Sequence, residues 1–62
     1  MTMLDAARRV GTDAWLRIEE LHVHVEIVDV KQAWGEFRYL VRPMDGVGTQ
    51  WVSDSRVKLK GE

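Results

Sequence analysis

Leu21-His22-Val23-His24-Val25-Glu26-Ile27-Val28-Asp29-Val30 is the stretch on which the fold turns. Leu21, Val23, Val25 and Ile27 alternate with His22, His24 and Glu26. That two-residue period belongs to a strand with one face in a core and the other in water. The alternation changes phase at Ile27-Val28, after which Val28 and Val30 are the apolar pair around Asp29. An extra residue flips every later side chain to the opposite face, so the phase change predicts a bulge or a strong bend. A long bent strand lets a small β-barrel turn a corner.

Downstream, Gln32-Ala33-Trp34-Gly35 reads as a loop in which Gly35 is the expected positive-φ residue. Phe37, Tyr39 and Val41 then return on one face, with Arg38, Leu40 and Arg42 on the other, and Pro43 ends the ladder. Asp45-Gly46-Val47-Gly48 is a turn signal. Gln50-Trp51-Val52 predicts a short strand, Ser53-Asp54-Ser55 a single helical turn capped by Ser53, and Arg56-Val57-Lys58-Leu59-Lys60 a last strand.

Upstream, Thr2-x-x-Asp5 has the form of a capping box, with Asp in place of the commoner Glu or Gln. Asp5 also suits the positive end of a helix dipole. A short helix is expected there, stopped by Gly11. It is too short to hold alone and must dock on something. Residues 12–20 admit two readings. Thr12 could cap a second helical turn through Trp15, Leu16 and Ile18. Alternatively Trp15 to Ile18 is a strand turning at Glu19-Glu20, which the alternation of Leu16 and Ile18 with Trp15 and Arg17 favours.

The 62 residues imply a single domain (1–62), with a helical extension at 1–11 and a barrel at 15–60. A core this small supplies only about 3–5 kcal/mol, which makes oligomerisation an expectation. There is no Cys, hence no disulfide and no thiol nucleophile, which suits a cytoplasmic location. No apolar run approaches the roughly 18 residues of a membrane span, and the N-terminus lacks the pattern of a secretory signal. Net charge is −1. Residues 1–30 carry three Arg against six carboxylates, and residues 31–62 carry six cations against four. A dedicated nucleic-acid binder is usually far more basic.

The order of a bent strand, Tyr39-Leu40-Val41-Arg42, the Asp45-Gly46 turn, Trp51-Val52, a polar turn and Val57-Lys58-Leu59 resembles the Src-homology-3-like barrel, in its Tudor and chromo-type variants. The resemblance covers about residues 15–60. It implies a mainly β fold, a small barrel of four to five antiparallel strands behind a short N-terminal helix. It also implies binding of protein, peptide or nucleic acid. Methyl-reading members use an aromatic cage, for which Trp34, Tyr39 and Trp51 would be the rings; packing of Tyr39 and Trp51 in the core is the favoured reading. Fold alone does not carry function across.

No catalytic constellation stands out, and no enzyme activity or cofactor is expected. His22-x-His24 could begin a metal site with Glu26, but structural zinc needs four ligands and catalytic zinc commonly three plus water. The plainer reading is a solvated strand face with Arg38 or Arg42 opposite Glu26 as an ion pair. Ser53 and Ser55 lack the setting of a nucleophile elbow. Gly46-x-Gly48 is too short for a phosphate loop, and no helix follows it. A plasmid-borne dihydrofolate reductase is built from small barrels of this kind. Thr49-Gln50-Trp51-Val52 is only loosely similar to the strand motif with which that family reads its cofactor, too loosely to support an enzyme reading.

Three Trp in a chain this size exceed what its core can easily bury. Trp34, beside Gly35, is the one expected to be exposed, and Trp and Arg dominate interface energies. The expected function is therefore protein binding or homo-oligomerisation through Trp34, Gly35, Phe37 and Trp51. Met1, Met3 and Leu4 of the helix offer a second apolar surface. The alternative is nucleic-acid binding through Lys31, Arg38, Arg42, Lys58 and Lys60, interleaved with Trp34 or Trp51. Composition and size suggest a bacterial, plasmid or phage accessory protein.

Overall fold

The long alternating stretch forms one strand that serves two partners. In the structure, a computed structural model describing residues 2–60, the chain runs α1 (Met3–Ala7), β1 (Asp13–Ile18), β2 (Leu21–Ala33), β3 (Glu36–Pro43), β4 (Gln50–Ser53), a 3-10 turn (Asp54–Arg56) and β5 (Val57–Leu59). The five strands make one antiparallel sheet in the order β4-β3-β2-β1-β5. The first half of β2 pairs with β1, from Ile18↔Leu21 to Asp13↔Glu26, and the second half pairs with β3. Between Ile27 and Asp29 the register shifts, leaving Val28 as the extra residue. The bulge lies where the apolar pattern changes phase. It keeps Val25 and Ile27 before it, and Val30 after it, on the inner face.

Mainly β architecture with one short N-terminal helix is thus found. Barrel closure is not: β4 and β5 are the two edges of the sheet and do not pair with each other. Residues 12–20 contain a strand and a two-residue turn, not a second helical turn.

The inner face buries Ala14 and Leu16 of β1, Val25 and Ile27 of β2, Phe37, Tyr39 and Val41 of β3, and Val52 of β4. Val23, Val30, Val57 and Leu59 pack against them. A fully buried Val, Leu, Ile or Phe contributes about 1.5–3 kcal/mol, so this single cluster is the main stabilising element.

The helix supplies the last member of the core. Thr2 Oγ1 accepts from the Asp5 amide while the Asp5 carboxylate accepts from the Thr2 amide, completing the capping box. Ala6 is fully buried, its small side chain allowing the helix close to the sheet. Arg9 Nη1 donates to Tyr39 Oη at 2.9 Å. The segment then bonds to Ile27 on both sides: the Gly11 amide donates to the Ile27 carbonyl and the Ile27 amide to the Thr12 carbonyl. Gly11 takes φ +88°, a conformation costly for any residue with a Cβ. The helix docks on the sheet as its length requires. Among the described residues no helix is long and apolar enough to cross a membrane.

Candidate functional site

Trp34 and Gly35 alone connect β2 to β3, since Ala33 pairs with Glu36. The expected four-residue loop is shorter because Gln32 and Ala33 continue the ladder. Trp34 has φ +55° and Gly35 φ +79°, the pair of left-handed residues that marks a type I′ hairpin turn. Asn, Asp and Gly are usual at such positions; an L-residue with a bulky side chain costs about 1 kcal/mol there. Trp34 is nevertheless 97% exposed. Phe37, three residues on, points the other way into the core and is buried, so it braces the hairpin and offers no surface to a partner.

Trp51 stands on the outer face beside Leu40, half-buried, and not in the core. Lys31 Nζ lies 4.3 Å from the centroid of its ring, a cation–π contact. Tyr39 faces inward, opposite to Trp51, so Trp34, Tyr39 and Trp51 do not converge on a cage.

The five cations of the nucleic-acid reading are not gathered in one place. Lys31 and Arg38 are cross-strand neighbours, and Arg38 pairs with Glu36 at 2.9 Å. Arg42 forms an ion pair with Glu26 across β2 and β3. Lys58 lies at the other side of the sheet, beside Trp15, and Lys60 follows β5. Of the apolar helix residues, Met3 and Leu4 are exposed, and Met1 lies outside the described residues.

His22 and His24 share the outer face as their spacing requires, but each has a different neighbour. His22 pairs with Arg17, and His24 lies against Trp15 with ring centroids 5.0 Å apart. His24 Nε2 is 3.4 Å from Asp13 Oδ2, close enough for charge pairing but without hydrogen-bond geometry. Among the described residues no group of three His, Asp or Glu is placed to hold a metal ion. Ser53 does not cap the 3-10 turn; its hydroxyl is 3.2 Å from that of Ser55.

Two features were not foreseen. One is an open apolar groove of about 210 Å³ at the turn end of the sheet, walled by Leu16, Ile18 and Val23 on one side and Val41, Pro43 and Val47 on the other. Val47, an apolar residue between two glycines, was its one sequence signal and is 96% exposed. The other is a cleft of about 120 Å³ on the outer face, lined by Trp15, Arg17, His22, Ser55, Arg56 and Lys58, among others. Its cations come from three separate elements, so no local motif announces it.

Compared with known proteins, the chain matches no family model, no curated protein and no solved structure.

Proposed function

We propose that the chain is a small non-enzymatic binding module that docks on a protein surface through Trp34, with Gly35 shaping the turn and Trp51 and Lys31 on the adjoining outer face. The observation that carries this reading is a fully solvated indole held in a left-handed turn position. Neither feature helps folding: the backbone would be easier with Asn, and the ring buries almost nothing. Tight turns with strained residues are found where the side chain has work outside its own fold. A rigid two-residue turn also limits the entropy lost when the ring enters a pocket.

The finer fold reading, a Src-homology-3-like barrel of Tudor or chromo type, belongs to the same proposal. Support comes from the strand order, from a bent β2 shared by both halves of the sheet, and from the 3-10 turn leading β4 into β5. The unpaired β4 and β5 edges make it an open version of that barrel.

Replacing Trp34 tests the docking role. Trp34→Asn should raise folding stability by about 0.5–1 kcal/mol in a urea titration, as the strain is relieved. It should also abolish association with the partner, or with a second copy, in sedimentation velocity. A destabilised Trp34→Asn, or one that still associates with unchanged affinity, would reject the reading.

A further inference from the structure

The second cleft lies on the outer face of β1, β2 and β5, far from Trp34 along the chain and unused by the docking role. Its floor is set by strand register. Lys58, Trp15 and His24 lie in one row across β5, β1 and β2, and Arg17 and His22 form the next row across β1 and β2. The 3-10 turn delivers Arg56 beside Arg17. The Arg56 guanidinium donates from Nε and Nη2 to the Arg17 carbonyl, both at 3.3 Å, which orients the head and leaves Nη1 unengaged in that contact.

Charge sorts itself on this face. Arg17, Arg56 and Lys58 line the cleft, no carboxylate lines it, and among the described residues none of the three is in an ion pair. Two carboxylates of the same face lie against other partners, Asp13 beside His24 and Glu26 paired with Arg42. Glu19 and Glu20 lie in the β1–β2 turn and Asp54 begins the 3-10 turn, and none of these three lines the cleft. A chain of net charge −1 therefore presents a local concentration of positive charge. Trp15 stands within it, about one-third exposed, with one neighbour already close to its ring, His24.

We infer that this cleft binds single-stranded nucleic acid, with backbone phosphates on Arg17, Arg56 and Lys58 and an unpaired base stacked on Trp15. Three cations at a shallow cleft suit phosphodiester oxygens. The aromatic ring among them favours a strand whose bases are free to stack over a phosphopeptide, which would use the cations alone, and over a duplex, whose base faces are covered. The Ser55 hydroxyl, 3.2 Å from that of Ser53, adds a neutral polar group at the same rim.

Fluorescence anisotropy of a labelled oligothymidylate of roughly ten nucleotides tests this, using the intact chain, with the matching duplex and a phosphoserine peptide as separate probes. The single strand should bind more tightly than about 1 mM and lose roughly twentyfold in affinity between about 50 and 200 mM salt, the dependence expected for about three phosphate contacts. Lys58→Glu and Arg17→Glu should each reduce binding at least about tenfold. Trp15→Leu should reduce it by a similar factor, and Trp15→Tyr should retain most of it. Circular dichroism establishes that each variant is folded. Arg38→Glu and Trp34→Asn, outside the cleft, should bind as the parent does. Absence of binding, equal binding of the duplex, binding of the phosphopeptide alone, or binding indifferent to Arg17→Glu and Lys58→Glu would each overturn the assignment. Because Trp34→Asn is expected to be silent here, failure of this inference and failure of the docking role are separable.

Discussion

At one end of the sheet, Ala6, the Arg9–Tyr39 hydrogen bond and the Gly11–Ile27–Thr12 bonds seal the core; at the other, the groove between Ile18 and Val47 stands open. Both ends belong to the same inner face and the same two central strands. The difference lies in what each end has to cover it. A helix of five residues suffices at the first because a buried alanine brings it close and β2 offers it backbone partners at Ile27. At the second, the connection between β3 and β4 has two glycines in six residues and lines the groove with Val47 and Thr49 without closing it. A sheet of this size has too little surface to close both ends from its strands alone. The chain spends its extra residues on one of them.

The comparison predicts an asymmetry in mutational cost. Tyr39→Ala at the sealed end should be the most damaging change. Truncating a buried aromatic costs about 3–5 kcal/mol, as much as a core of this size supplies, so the variant should lack the cooperative urea transition of the parent. A near-parental transition would mean that the sealed end is not where stability resides. Ala6→Leu should cost about 1–3 kcal/mol, because the helix must move off the sheet to admit three more carbons. Tyr39→Phe removes only the hydroxyl that Arg9 reaches and should cost about 0.5–1.5 kcal/mol, measured as a shift of the urea midpoint at constant slope. Val47→Ser at the open end should stay within about 0.5 kcal/mol of the parent, since its side chain is already in water. If Val47→Ser were as costly as Tyr39→Phe, the groove would be closed in solution and the contrast would disappear.

Trp34 and Phe37 teach a related lesson about one short hairpin. Both are aromatic, three residues apart, and both were candidates for a partner surface. Register sends Phe37 inward opposite Gln32 and leaves Trp34 in the turn. The outcome depends on whether the loop has two residues or four, a choice that Gln32 and Ala33 do not announce. Trp51, read both as a core ring and as a partner contact, stands half-buried on the outer face beside its cross-strand partner Leu40.

Features governed by near neighbours were legible from residue order. The alternation of Leu21 to Ile27 specifies a strand, its phase change specifies the bulge, Thr2 and Asp5 specify the cap, and Gly35 marks the hairpin turn. Each depends on side-chain period, hydrogen-bonding groups or φ preference within a few residues, and those act before any distant contact exists. Sheet order, the sealed and open ends, and the cationic cleft were not legible in this way. They arise from pairings between residues far apart in the chain, such as Arg56 with the Arg17 carbonyl and Trp15 beside Lys58. Many arrangements satisfy the same local preferences. Burial of one shared apolar face and satisfaction of the backbone hydrogen bonds select among them, and those terms take their values only once the whole sheet has formed.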